Sequence, residues 1–208
     1  MLEIGIAARV ERARYRAFYW RAHLAFAEML GLAAAMAAIT GLLAQVRVYL
    51  PWTVVPITGQ TFAVLLAGVL LGGRWGSISQ AIYLALGVAG VPWFSGWKGG
   101  FAALAGPTGG YMVGFLLAAF LIGTITDRHA RARGFLPLLG VMLLGNLVIY
   151  ATGLLQLNAW LRATQQAAPS PVALLWMGVI PFVGGDLVKI VAAAAFARVI
   201  TPRGDFGH

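Results

Sequence analysis

The sequence contains no cysteine, which removes disulfide frameworks, thiolate nucleophiles and Cys-ligated metals together. Charge is nearly as scarce: Asp, Glu, Lys and Arg make up 10% of the 208 residues, against about 25% in soluble domains. A water-soluble globule is close to excluded on that ground. The three histidines, His23, His129 and His208, stand far apart and outside the apolar runs. There is no H-E-x-x-H pair, no glycine-rich phosphate loop of the form G-x-x-x-x-G-K-S/T, and no serine in a nucleophile-elbow context. Zinc hydrolysis, ATP hydrolysis by the chain itself and serine-hydrolase chemistry therefore have no sequence basis, and no enzyme activity is expected.

What is abundant is apolar surface, at 61% of residues, together with 27 glycines. That glycine content suits helices whose backbones approach closely in lipid. A bilayer-spanning helix needs about 20 mostly apolar residues, and six segments qualify: about 27–46, 57–73, 76–92, 109–126, 135–157 and a long stretch from 171 to 200. The first lacks the small-residue cleavage site of a secretory signal peptide. Gly72-Gly73-Arg74-Trp75-Gly76 reads as a tight turn between the second and third.

The net charge of +9 describes orientation. With the N-terminus inside, Arg9, Arg12, Arg14, Arg16, Arg21, Arg74, Arg128, Arg131, Arg133, Arg198 and Arg203 fall on the inner side, eleven in all, against Arg47, Lys98 and Arg162 outside. The positive-inside rule then predicts an all-α membrane protein with six transmembrane helices and both termini cytoplasmic. The expected organisation is a basic N-terminal segment at 1–26 lying on anionic lipid, a membrane domain at 27–200 and a short tail at 201–208. Basic residues that punctuate apolar runs in this way do not suggest nucleic acid.

Polar residues inside the apolar runs are candidates for function. Asp186 and Lys189, spaced i, i+3, share one helix face. They are either a mutually neutralising structural pair or a grip on a ligand that both donates and accepts hydrogen bonds. Asn146 and Tyr150 form a second polar face at i, i+4, open to either ligand contact or interhelical bonding. Thr58, Gln60 and Thr61 crowd the outer end of the second span, and Thr108 before Gly109-Gly110 is placed to cap the fourth. A break near Pro181 would divide the last stretch and leave Asp186 about one turn below the outer surface. Trp52, Trp93, Trp97 and Trp160 fall in outer connections, as an aromatic belt or a ring-lined pocket would require. The connection from Val91 to Gly110, carrying Phe94, Trp97, Phe101 and Leu104, is too apolar to float in water and is expected to close as a lid.

Taken in order, Pro56-Ile57-Thr58-Gly59-Gln60-Thr61, Leu65-Leu66-Ala67-Gly68, Tyr83-Leu84-Ala85-Leu86-Gly87, Gly90-Val91-Pro92, Gly106-Pro107-Thr108-Gly109-Gly110-Tyr111 and Gly185-Asp186-Leu187-Val188-Lys189 resemble the BioY-type biotin transport subunits. These are substrate-binding S components of energy-coupling-factor transporters, and the resemblance covers roughly residues 30–200. It implies an S-component-type bundle that binds biotin from outside, with no cofactor and with biotin as the only ligand. It further implies a transmembrane coupling protein and ABC-type ATPases as partners, which would supply the missing phosphate loop. The Asp-x-x-Lys pair would belong to the ligand site, beside Asn146, Tyr150, Gln60 and Tyr83. Phe94 and Trp97 would supply rings, and Lys98 or the Thr108-Gly109 turn would receive the ligand's carboxylate. Small residues on the first helix, Ala34 and Ala38 or Ala33 and Ala37, would dock the coupling protein. Action alone or as a homo-oligomer stays open. An ion-coupled secondary carrier for a vitamin-like solute is the alternative, weakened by the lack of a second intramembrane acid.

Overall fold

In the computed structural model, residues 2–165 and 169–202 are described, so Arg203 and most of the expected tail lie outside the described residues. The elements run α1 (Leu2–Ala22), α2 (Phe26–Leu43), β1 (Arg47–Val48), β2 (Ile57–Thr58), α3 (Gln60–Val88), α4 (Phe101–Ala105), α5 (Gly109–Arg128), a 3-10 turn (Ala130–Arg133), α6 (Phe135–Gln165), α7 (Pro171–Gly178) and α8 (Ile180–Ile200). Among the described residues five helices, α2, α3, α5, α6 and α8, are long and apolar enough to cross a membrane. Large apolar side chains such as Leu42, Leu117, Phe120, Leu147, Leu155, Val188 and Val199 point outward. A helix that is apolar on every side needs either a protein core or lipid around it.

Five helices, and not six, result because the second and third expected spans join into α3. They do not form one straight rod. Gly72 sits inside α3 at φ 82°, ψ 171°, a conformation open essentially to glycine alone. Gln60 Nε2 donates to Tyr83 Oη at 2.8 Å, although the two residues are 23 positions apart. An unbroken helix would separate them by about 35 Å, so α3 doubles back at Gly72 as a hairpin of two antiparallel arms. The turn read from Gly72-Gly73 is thus real.

The hairpin is the centre of the bundle. α5 packs along it closely enough that a Cβ at Gly68 would meet the Ala119 carbonyl at 2.7 Å. One buried cluster (Val64, Tyr83, Phe94, Tyr111, Phe115, Ile149, Tyr150, Phe182 and neighbours) fills the half that faces the β1–β2 ribbon. A second (Leu65, Val69, Ile122, Leu138, Met142, Ile190, Ala194, Ala197) fills the other half. At the hairpin tip, Arg21 donates to the Val69 and Leu70 carbonyls and to Asp127 Oδ1 at 2.8 Å. Asp127 Oδ2 in turn accepts from Gly73 N, and Arg133 donates to the Thr126 and Asp127 carbonyls. Arg21, Arg74, Arg128 and Arg133 therefore gather at one end of the bundle, whereas Arg47 and Lys98 lie at the other.

The last stretch breaks as expected, two residues earlier than Pro181. Val179 leaves helical geometry (φ −136°, ψ −59°), and Pro181 falls in the first turn of α8, where its missing N–H is harmless. Ser170 caps α7 by accepting from Ala173 N. Asp186 lies six residues into α8, about 9 Å along the axis.

Candidate ligand cavity

The Asp186–Lys189 pair stands at the floor of the end opposite the hairpin tip. Lys189 Nζ donates to Asp186 Oδ1 at 2.5 Å, to the Thr58 carbonyl at 2.7 Å and to Thr61 Oγ1 at 3.0 Å. Its three hydrogens are thereby used. Asp186, only 4% exposed, also accepts from Thr61 Oγ1 at 3.2 Å, from Tyr150 Oη at 2.5 Å and from Asn146 Nδ2 at 3.4 Å. Four donors from α3, α6 and α8 meet on one carboxylate. This full satisfaction is what lets a charge pair sit in a low-dielectric bundle. Asn146 Oδ1 is buried and has no partner, which leaves one unfilled acceptor beside the pair.

Above the pair opens a cavity of about 470 Å³, bounded by the Tyr49–Ile57 ribbon, the Phe94–Thr108 connection, α5, α6 and α8. Its polar lining comes from Gln60, Thr61, Thr108, Tyr150, Asp186, Lys189 and Lys98; Val55, Phe94, Tyr111, Met112, Phe115 and Phe182 supply apolar walls. The volume and the few convergent polar groups fall in the range of small-molecule sites.

Of the residues singled out in the sequence, Asp186, Lys189, Tyr150, Gln60, Thr108, Phe94 and Lys98 line this cavity. Asn146 and Tyr83 stand behind it. Asn146 reaches it through Asp186, and Tyr83 through Gln60 Nε2 and through ring contacts to Trp93 and Phe94 at 5.4 and 5.3 Å. Three placements differ from expectation. Trp97, at φ 58° and 63% exposed, does not line the cavity, and its backbone N–H donates to Gln45 Oε1 at 3.1 Å. Gly109 is a packing position, since a Cβ there would strike the Leu104 carbonyl. Thr108 faces the cavity without capping α5 through its side chain. Ala33 and Ala37 are fully buried against the hairpin, while Ala34 and Ala38 are exposed.

The structure adds groups that the sequence reading passed over. The 45–59 connection, with its β1–β2 ribbon, is a second lid, held by Lys189 on Thr58 and by Thr53 Oγ1 on the Met177 carbonyl. Two amides clasp the 91–110 lid. Gln45 Nε2 donates to the Trp93 and Phe94 carbonyls, and Gln156 Nε2 to those of Leu104 and Gly106. A lone amide at the end of an apolar span was the available signal. Tyr111 Oη, donating to the Gly178 carbonyl at 2.8 Å, ties α7 to the cavity wall.

An apolar helical bundle with one saturated acid–ammonium pair beneath a doubly lidded cavity defines a membrane solute-binding protein. The chain belongs to the BioY family, whose model matches residues 16–205. A probable biotin transporter BioY of Methanothermobacter thermautotrophicus is 50% identical over 144 residues, 69% of this chain and 92% of that one. A biotin transporter BioY of Thermotoga maritima is 39% identical over 148 residues, 71% and 82% respectively. A crystal structure of the S-component for biotin from an ECF-type ABC transporter superposes with a TM-score of 0.74 at 28% identity, covering 86% of this chain and 94% of that one. The chain is accordingly a multi-pass membrane protein of a transporter family, not of an enzyme family.

Proposed function

We infer that the cavity binds biotin from the outer side and that the chain carries biotin into the cell as the substrate-binding subunit of an energy-coupling-factor transporter. The observation that carries this reading is the cavity's division into a polar floor and apolar walls, in a chain of the BioY family. Biotin's ureido ring offers two N–H donors and a carbonyl. Asp186 can accept from the first, and Tyr150 or Lys189 can donate to the second. The fused rings would lie among Phe94, Tyr111 and Phe115. The valerate carboxylate would reach toward Lys98 and Thr108.

In this reading each arm of the α3 hairpin crosses the membrane, which brings the crossings to six with both termini cytoplasmic. The end rich in arginine then faces the cytoplasm, as the positive-inside rule asks. A transmembrane coupling protein and ABC-type ATPases supply the energy. Ala34 and Ala38, small and exposed on α2, offer the close-approach surface for the coupling protein.

Equilibrium binding of radiolabelled biotin to the purified chain tests the assignment. Saturable one-to-one binding displaced by unlabelled biotin is expected. Absence of saturable binding by well-folded protein refutes it.

A further inference from the structure

α1 has two faces of different character. Glu11, Arg14, Phe18 and Arg21 recur at three- and four-residue intervals and so share one face. All four are partly or wholly buried, whereas Arg9, Arg12, Ala13, Arg16 and Trp20 are exposed. The inward face is anchored: Phe18 is buried, and Arg21 is bound to Asp127 and to the hairpin tip. This division also explains why Arg14 and Arg21 fall off the pattern that Arg9, Arg12 and Arg16 make at i, i+3, i+7.

Only His23–Ala25 separate α1 from the apolar α2. Three residues reach at most about 10 Å, roughly one Debye length, so the Trp20 end of α1 stays close to the start of α2, and Arg16, Arg12 and Arg9 follow back along the axis at about 1.5 Å per residue. On that face three guanidinium groups follow one another on successive turns. Glu11 lies on the other face, where it pairs with Arg14 at 3.3 Å. Trp20, 59% exposed, lies at the end nearest α2, and Tyr15 and Tyr19 stack beside it.

We propose that this face of α1 rests on acidic phospholipid headgroups. The phosphate oxygens accept from Arg9, Arg12 and Arg16, whose planar forks match phosphate, and the Trp20 ring sits at headgroup level. A soluble polyanion would satisfy the arginines and leave the aromatic edge without a purpose. The headgroup region satisfies both. Arg9 and Arg12 precede the residues matched to the family, whereas Arg16 and Trp20 fall within them; the surface is independent of what the cavity binds.

The absence of cysteine makes the test clean. Ala13→Cys, at the centre of the exposed face, takes an environment-sensitive fluorophore on the full-length protein in nanodiscs. A blue shift is expected in discs of phosphatidylcholine with phosphatidylglycerol relative to phosphatidylcholine alone. Each basic side chain favours an anionic surface about fivefold. Replacing Arg9, Arg12 and Arg16 by Gln should therefore lower the partition about a hundredfold and abolish the shift. Equal emission in the two lipids overturns the proposal, as does a shift that survives the triple replacement. A shift produced in neutral discs by soluble polyphosphate would identify a free polyanion as the occupant instead.

Discussion

Tyr150 donates its phenolic hydrogen to Asp186 Oδ2 at 2.5 Å, linking α6 to α8 across the cavity floor. With Asn146, Thr61 and Lys189 on the same carboxylate, every strong acceptor position of Asp186 is occupied before any ligand arrives. An incoming N–H must therefore displace a donor already in place. The residues displaced are those best placed to turn and donate to a ligand carbonyl. If the cavity binds biotin as proposed, the structural and ligand-binding roles of the pair are two states of one network.

Asp186→Asn should abolish high-affinity biotin binding and also lower the melting temperature, because it strands the Lys189 ammonium. Breaking a buried pair from one side costs about 3–5 kcal/mol. Adding Lys189→Met to Asp186→Asn should restore most of the thermal stability and none of the binding. Thermal unfolding in detergent and labelled-biotin binding separate the two effects. Wild-type affinity in the single variant would remove Asp186 from the site.

Gly72→Ala should destabilise the bundle more than any ordinary helix substitution. Its positive φ alone costs about 1–3 kcal/mol for a residue with a side chain, and the new Cβ would collide with Asp127 Oδ2. Loss of monodisperse protein at elevated temperature, read by fluorescence-detected size exclusion, is the expected result. An unchanged profile would show that the hairpin tip tolerates another geometry.

Gly87 lies under Phe94, and a Cβ there would enter the ring. Overpacking of this kind costs about 1–3 kcal/mol, and the ring is the part free to move. Gly87→Ala is therefore expected to push Phe94 from the cavity wall and weaken biotin binding about tenfold. Phe94→Leu in the same background should recover part of that loss. If Gly87→Ala binds normally, Phe94 does not shape the occupied site.

The two alanine pairs of α2 should behave oppositely. Trp at Ala34 or Ala38 is expected to abolish co-purification with the coupling protein while leaving biotin binding intact. Leu at Ala33 or Ala37, which are fully buried, should instead lower thermal stability. Pull-down with the ATPase partners and a melting curve on the same preparations distinguish these outcomes.

The apolar segments, the turn at Gly72, the break ahead of α8 and the shared face of Asp186 and Lys189 were all legible in the residue order. Each follows from a local rule: the length lipid demands, the conformations open to glycine and proline, and the 3.6-residue turn. Which side of a helix looks inward was not legible. A helix that is apolar nearly all round, such as α2, holds no contrast that distinguishes Ala33 from Ala34. Lipid and protein core are equally good solvents for such faces.

The sequence by itself determined that this chain is a membrane bundle with a charged pair toward one end and a cluster of arginines at the other. Only the tertiary structure decided what surrounds that pair. Thr58, Thr61, Asn146 and Tyr150 meet Asp186 and Lys189 of α8 from two other helices and a ribbon. Gln45 and Gln156 became clasps, and Trp97 fell outside the cavity lining. Those outcomes depend on contacts between residues 36 to 131 positions apart, and pairings at that separation are set by how whole helices pack, which no local pattern encodes.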